Sequence, residues 1–389
     1  TEINGGKCNT EEDFYKACRA ASILGTLQAG YTNFKFLSED SKLIFEREAL
    51  LGVSITGWMN NPSILFDEKI LEKGAQIVKD VNREVAEIIG INPAARTTCV
   101  KPSGNASVLL QTASGIHAEH SSMYIRNVQM NKESEITQAI MKTNPYMVED
   151  SVWSAGGTDV VVSFPILPNK GSMYKDDLLG IKHLELVKKA QKHWVETGTN
   201  EELCADRGIR HNVSNTIIVD DWDEVEKYVF ENRDAFAGIS FLAMTGDKDY
   251  NQAPNTAVIT AKDMVKKYGN AAVFASGMVV DSLKCFPNLW DACATAKGFG
   301  QDISLESSEN AMKKDWIRRF TKFADNYLGS DNNLAEHCLK DAYLLHKWNK
   351  IQSTLKTVDW KEDITERKYT DVDTLAAAAC AGGACEIDF

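Results

Sequence analysis

Apolar residues recur at helical spacing in some segments and at strand spacing in others, and the two kinds alternate along most of the chain. This alternation restricts the fold more than any other feature. Thr10-Glu11-Glu12-Asp13 predicts a helix start, with Thr10 as cap and acids in the first turn. Phe14, Ala17, Cys18, Ala21, Leu24 and Leu27 then recur at helical spacing until Gly30. A second helix is expected over 41–51, a β-prone run over 52–59 closed by Asn60-Asn61-Pro62, and an amphipathic helix over 67–89 stopped by Asn92-Pro93. Strands are then expected at 97–100, 122–130, 158–164, 213–219 and 237–242, with helices at 133–141, 178–196 and 222–233 between them. Such a series predicts an α/β architecture with crossover connections, and so many units favour a barrel or a large sheet. No GxGxxG follows a strand and no Walker lysine motif occurs.

From Met264 the pattern turns helical, with Trp290, Trp316 and Trp348 as expected packing anchors. After Trp360 the sequence KEDITERKYTDVDT reads as a polar tether, followed by an Ala/Gly-rich end. The expected regions are therefore 1–263, 264–360 and a flexible tail at 361–389.

The chain of 389 residues has 43% hydrophobic and 25% charged residues, the balance of a soluble globular protein. No apolar run approaches the roughly 20 residues of a membrane span, and no basic-then-apolar leader opens the sequence. A net charge of -12 argues against a general nucleic-acid binder, while leaving room for an anion in one local pocket. The nine cysteines are scattered and odd in number, which excludes a secreted disulfide scaffold and a paired CxxC zinc framework. A cytoplasmic protein without a metal site or a direct nucleic-acid partner is expected.

Two stretches carry chemistry. In the first, Thr97-Thr98-Cys99-Val100 turns abruptly through Lys101-Pro102-Ser103-Gly104-Asn105-Ala106-Ser107 into an apolar run, Val108-Leu109-Leu110. Pro102 removes a backbone donor and Gly104 opens unusual dihedrals. Successive N–H groups, with Ser103, Asn105 and Ser107 beside them, form a cradle for phosphate. Pro-Ser-Gly is also ordinary strand-to-helix turn chemistry, and local chemistry leaves both readings open.

The second stretch is Cys380-Ala-Gly-Gly-Ala-Cys385. On a continuous helix these thiols would point about 140° apart. Gly382-Gly383 breaks such a helix and lets the Cα atoms approach the roughly 4.4–6.8 Å that a disulfide needs. A pair of this kind on a polar tether suits thiol–disulfide exchange. From Lys368 to Cys380 the tether spans up to about 40 Å when extended.

Taken together, these stretches resemble the adenosylcobalamin-dependent (class II) ribonucleotide reductases, in particular the monomeric ribonucleoside-triphosphate type. Lys101-Pro102-Ser103-Gly104-Asn105-Ala106-Ser107 is similar to that family's substrate-phosphate loop, departing from it at Asn105, where Thr is usual. Gly115-Ile116-His117 through Tyr124-Ile125-Arg126, His211-Asn212-Val213-Ser214-Asn215-Thr216, Phe236 through Leu242 and Gln252-Ala253-Pro254 resemble later parts of its barrel. Cys380 and Cys385 match its terminal shuttle pair. The resemblance implies part of a ten-stranded α/β barrel of the reductase and glycyl-radical type, with a helical C-terminal region.

It also implies an adenosylcobalamin cofactor, whose contacts the sequence does not assign, and a ribonucleoside tri- or diphosphate substrate. The family's Asn-Pro-Cys-x-Glu motif would place its radical-bearing cysteine immediately before Thr1, so an N-terminal half of the same enzyme is an expected partner, separated by a split gene or an intein. Glu2 would then be the acid–base carboxylate. Cys8 would be one of two thiols that reduce the ribose, re-reduced by Cys380 and Cys385 and, through them, by a thioredoxin-like dithiol.

A class I large subunit and a non-catalytic complementing fragment are the competing expectations. The first needs an adjacent Tyr-Tyr pair, which this sequence lacks. His117 and His120 lack an evident third metal ligand. Arg126 offsets phosphate charge or pairs with a carboxylate.

Overall fold

A computed structural model describes residues 1–103, 105–244, 250–283, 286, 288–297 and 307–360. The chain divides into two compact units, Thr1–Ser122 with Pro168–Gly246, and Met123–Leu167 with Asp247–Phe389.

Parallel strand segments run through the first unit in chain order. Glu2–Asn4 pairs with Ser54–Thr56, Glu2 lying beside Ser54 and Asn4 beside Thr56. Single parallel bridges extend the array from Val53 to Thr98 and from Val100 to Val213. Thr216–Val219 then pairs in parallel with Ser240–Ala243. Helices make the crossovers that parallel neighbours require. The expected strand at 97–100 is irregular and is held by those bridges and by side chains. Thr98 Oγ1 donates to Trp194 O at 2.7 Å and the Trp194 indole donates to Cys99 O at 3.0 Å. Trp194 lies in a π turn, Gln191–Glu196, that follows Gly180–Ala190, so the helix expected over 178–196 is α-helical only in its first part.

The crossover helices form where the pattern predicts them. Glu11–Ala29 starts with a full capping box: Asp13 N–H donates to Thr10 Oγ1, and Thr10 N–H donates to Asp13 Oδ2, each at 3.1 Å. It packs on Glu68–Ile89, burying Phe14 and Cys18 against Leu71, Ala75 and Val78. Gly74 permits the close approach, since a Cβ there would stand 2.5 Å from the Phe14 ring. Each large apolar side chain buried here contributes about 2 kcal/mol.

The second unit departs from the expected alternation. Its sheet runs Val148–Asp150, Asp159–Ile166, Tyr124–Asn131, Asn255–Ala257, with every pairing antiparallel. The strands expected at 122–130 and 158–164 therefore belong to an antiparallel sheet, where they pair with each other, and not to parallel crossover units. Because Tyr124 pairs with Ala257, residues 123–167 group with the helical region, and the compact units do not follow a boundary at 263. The helices Ala261–Tyr268, Asn270–Val280, Leu289–Lys297, Ser308–Tyr327 and Asn332–Thr354 follow. Trp316 is fully buried among them, whereas Trp290 and Trp348 are partly buried. No helix among the described residues is long and apolar enough to cross a membrane. The expected tail, 361–389, lies outside the described residues.

Candidate active site

Glu2 lies on the first strand of the parallel array, beside Ser54. The Ser54 hydroxyl donates to Glu2 Oε1 at 3.1 Å, and Ser54 Oγ accepts the Lys101 backbone N–H at 3.0 Å. Burial pushes the Glu2 carboxyl up to about 7, with the Ser54 hydrogen bond pulling the other way. A carboxyl of this kind is partly protonated and partly ionised near neutral pH, the condition that general acid–base chemistry requires.

The turn that follows is fixed from several sides. Ser103 has φ 51°, a conformation few non-glycine residues adopt. Its Oγ lies 3.0 Å from Thr56 Oγ1. Thr56 donates its one proton to Ala113 O at 2.9 Å and accepts the Gly115 N–H at 2.9 Å, which leaves Ser103 as the donor to Thr56. Ser114 donates to Pro102 O. Gly115 itself has φ 51°, and a Cβ there would meet Lys101 O at 2.7 Å, so glycine is required for the turn to close. Ala106 N–H donates to Ser103 O at 2.9 Å, opening the short helix Asn105–Leu110, in which Ser107 is buried. Asn4 donates to Leu110 O at 2.9 Å and ties this helix to the Glu2 strand. The Lys101 and Pro102 side chains are exposed. Gly104 lies outside the described residues, as does the Asn105 side chain.

Cys8 follows a 3₁₀ turn, Gly5–Lys7, and is buried in the core of the first unit. Its thiol donates to Asn4 O at 3.5 Å, and Asn61 donates to Cys8 O. Burial, with Asp13 adding to it, pushes the thiol up to about 11, so it is neutral at physiological pH. Cys99 is likewise pushed up to about 11, by burial first and by Glu2 second. Both are free thiols. Cys380 and Cys385 lie outside the described residues.

His117 Nδ1–H donates to Ser114 O at 3.0 Å, and burial lowers its pKa. The described residues contain no group of three His, Cys, Asp or Glu side chains arranged to hold a metal. Arg126, in the second unit, donates to Tyr124 Oη at 3.4 Å.

The first unit thus brings Glu2, Lys101 and Ser103 onto one small framework. Ser54 and Thr56, which build that framework, carry only a weak sequence signal. They flank Ile55 in a β-prone run, so both project from one face of the strand.

No family model matches the chain. A Dictyostelium discoideum protein named "Probable adenosylcobalamin-dependent ribonucleoside-triphosphate reductase" is 26% identical over 199 residues, 50% of this chain and 25% of that protein. Adenosylcobalamin-dependent ribonucleoside-triphosphate reductases of Euglena gracilis and Lactobacillus acidophilus are each 24% identical, over 51% and 42% of this chain and 27% and 26% of theirs. A crystal structure of B-12 dependent (class II) ribonucleotide reductase superposes with a TM-score of 0.51 and 17% identity, covering 65% of this chain and 36% of that one. The fold is that of a class II ribonucleotide reductase over the superposed part. The resemblance read from the sequence holds across half the chain. The chain spans about a quarter of the length of the curated relatives it matches.

Proposed function

We propose that this chain supplies part of the active site of an adenosylcobalamin-dependent ribonucleotide reductase acting on ribonucleoside triphosphates. The observation that carries this reading is the hydrogen-bonded link from Glu2 through Ser54 to Lys101. It sets a carboxyl of pKa about 7 beside the turn that resembles a substrate-phosphate loop.

The residues then divide the work. The turn at 101–107 holds substrate phosphate and so fixes where the ribose falls. Glu2, ionised, takes a proton from a ribose hydroxyl and returns it later. Cys8 and a second thiol lose two hydrogens and become a disulfide, while the ribose loses one hydroxyl as water and gains one hydrogen in its place. A buried disulfide is closed to bulky reductants, so Cys380 and Cys385 exchange with it and pass the oxidation to a thioredoxin-like dithiol. A separate N-terminal half would complete a ten-stranded barrel, contribute the second thiol and supply the radical-bearing cysteine. Adenosylcobalamin would supply the radical chemistry. The described residues offer no donor set that marks its place, so no contact with it is assigned to this chain.

The test is reconstitution: this chain, its N-terminal complement, adenosylcobalamin, a ribonucleoside triphosphate and a dithiol. Deoxynucleotide is expected, and Glu2→Gln should reduce its rate by about 100-fold or more. Full turnover by Glu2→Gln would overturn the assignment.

A further inference from the structure

The Ser54 hydroxyl has one proton and two lone pairs. It spends the proton on Glu2 Oε1 and a lone pair on the Lys101 N–H, and it is 2% exposed. This hydroxyl provides the side-chain hydrogen bond that acts on the Glu2 carboxyl. The parallel register sets Ser54 directly beside Glu2, so the contact needs no extended rotamer on either side. Two residues along the same face, Thr56 holds Ser103, at the other end of the described turn. One short strand therefore grips the turn at both ends, and Glu2 through one of them.

We propose that Ser54 is a positioning residue: its hydroxyl holds the Glu2 carboxylate in register with the Lys101–Ser103 turn, so that substrate anchored at the turn meets Glu2 Oε2 at a fixed place. The proposal rests on the reductase reading for its substrate, although the link itself is a property of this chain. Oε1 is occupied by Ser54, which leaves Oε2 as the oxygen that exchanges protons with a ribose hydroxyl. Hydrogen bonds in series polarise one another. The Lys101 N–H therefore strengthens the Ser54 donation, and anything that draws the turn away from the strand weakens it.

Two variants separate positioning from mere packing. Ser54→Ala removes the hydroxyl, and Ser54→Thr keeps it at the cost of one added methyl. Titration of the Glu2 carboxyl, followed by carbon-13 NMR on the chain alone, needs no turnover. Ser54→Ala should raise the midpoint by about one unit or more, because a donor to the ionised form has gone, and Ser54→Thr should restore it. In the reconstituted enzyme, Ser54→Ala should lower kcat on the order of 10- to 100-fold with KM for the nucleotide changed less than about threefold. The acid limb of its pH profile should move upward with the NMR midpoint.

An unchanged Glu2 midpoint in both variants would overturn the link, whatever the enzyme does. A shifted midpoint with unaltered kcat and pH profile would overturn the positioning role and leave the reductase reading standing. If the wild-type mixture makes no deoxynucleotide but the midpoint shifts, the reductase reading fails and the coupling survives. Should Ser54→Ala not fold, Ser54→Cys takes its place in the same titration, its weaker donor being expected to give a smaller rise in the same direction.

Discussion

Ser103 and Thr56 meet oxygen to oxygen at 3.0 Å, and that contact holds Ser103 at φ 51°. A non-glycine residue in this region costs on the order of 1–3 kcal/mol unless its surroundings hold it there. Thr56→Val keeps the shape but strands the Gly115 N–H and the Ser103 hydroxyl inside the unit. We expect it to destabilise the protein by about 2–4 kcal/mol in chemical denaturation, with Thr56→Ser close to wild type. Equal stability of Thr56→Val and Thr56→Ser would show that the contact holds nothing.

Gly115→Ala tests the other side of the same turn. The added Cβ would lie 2.7 Å from Lys101 O, at a φ of 51°. A backbone oxygen cannot step aside as a flexible side chain would, so the turn itself must shift. A stability loss of about 2–4 kcal/mol is expected. If the turn holds phosphate as proposed, nucleoside triphosphate binding by calorimetry should weaken at least tenfold. Unchanged affinity would detach the turn from phosphate recognition.

The pH dependence follows from Glu2. Its folded pKa of about 7 lies above the ordinary 4.5, so the folded state binds more protons than the unfolded state between those values. The sign is therefore unfavourable: stability is greatest below about 4.5 and is given up as pH rises through 7. Glu2→Gln should match wild type near pH 4 and be the more stable protein near pH 8, on the order of 1 kcal/mol after screening of the partly exposed carboxyl. Thermal melts at the two pH values decide it. A variant less stable at pH 8 would mean that the carboxylate is welcome where it sits. If Glu2 is the proposed base, activity should run in the opposite direction, rising as Glu2 ionises.

How much of this could be read before folding depends on the range of the interaction. The Thr10 capping box spans four residues and is legible directly. The alternation of periods points to the parallel strands Ser54–Thr56, Thr216–Val219 and Ser240–Ala243, but gives no sign of their three-residue companion Glu2–Asn4. It misled for 122–164, because a two-residue period marks a strand without giving its direction. What decides that direction is Tyr124 meeting Ala257, a contact between residues far apart in sequence. Glu2 is singled out only by the resemblance, whereas the 101–107 turn is legible as a turn from Pro102 and Gly104 and is tipped toward phosphate only by the resemblance. Ser54 and Thr56 give no such signal, since a small polar residue in a β-prone run looks the same whether it faces solvent or a half-buried carboxyl.

Cys8 gives a prediction about reactivity. A thiol pushed to about 11 from the ordinary 9.0 carries about 100-fold less thiolate at any pH well below both values. Alkylation of the native chain by iodoacetamide at pH 7.5, mapped by mass spectrometry, should therefore leave Cys8 and Cys99 unmodified while more exposed thiols react. Fast labelling of Cys8 would show that the 3₁₀ turn before it opens readily, and that the reducing role proposed for it needs no conformational step.

The last prediction concerns the ion pair beneath the array. Arg96 Nη2 meets Glu48 Oε2 at 2.6 Å, with both side chains more than nine-tenths buried. Arg47, much more exposed, meets Glu48 Oε1 at 2.8 Å. The Arg96 backbone carbonyl also accepts the Leu51 N–H, two residues along the chain from the strand bridge at Val53. Desolvating two charges costs nearly what their attraction returns, so the intact pair contributes little net stability, whereas an orphaned partner is expensive. Glu48→Gln should cost about 3–5 kcal/mol by leaving Arg96 buried without a counter-charge. Replacing both, Glu48→Leu with Arg96→Met, should recover most of that loss. A double-mutant cycle in urea measures it directly. If the double variant is as unstable as Glu48→Gln, then the pair holds the Leu51–Arg96 connection through geometry that apolar side chains cannot supply, and nucleotide binding at the 101–107 turn should weaken along with stability.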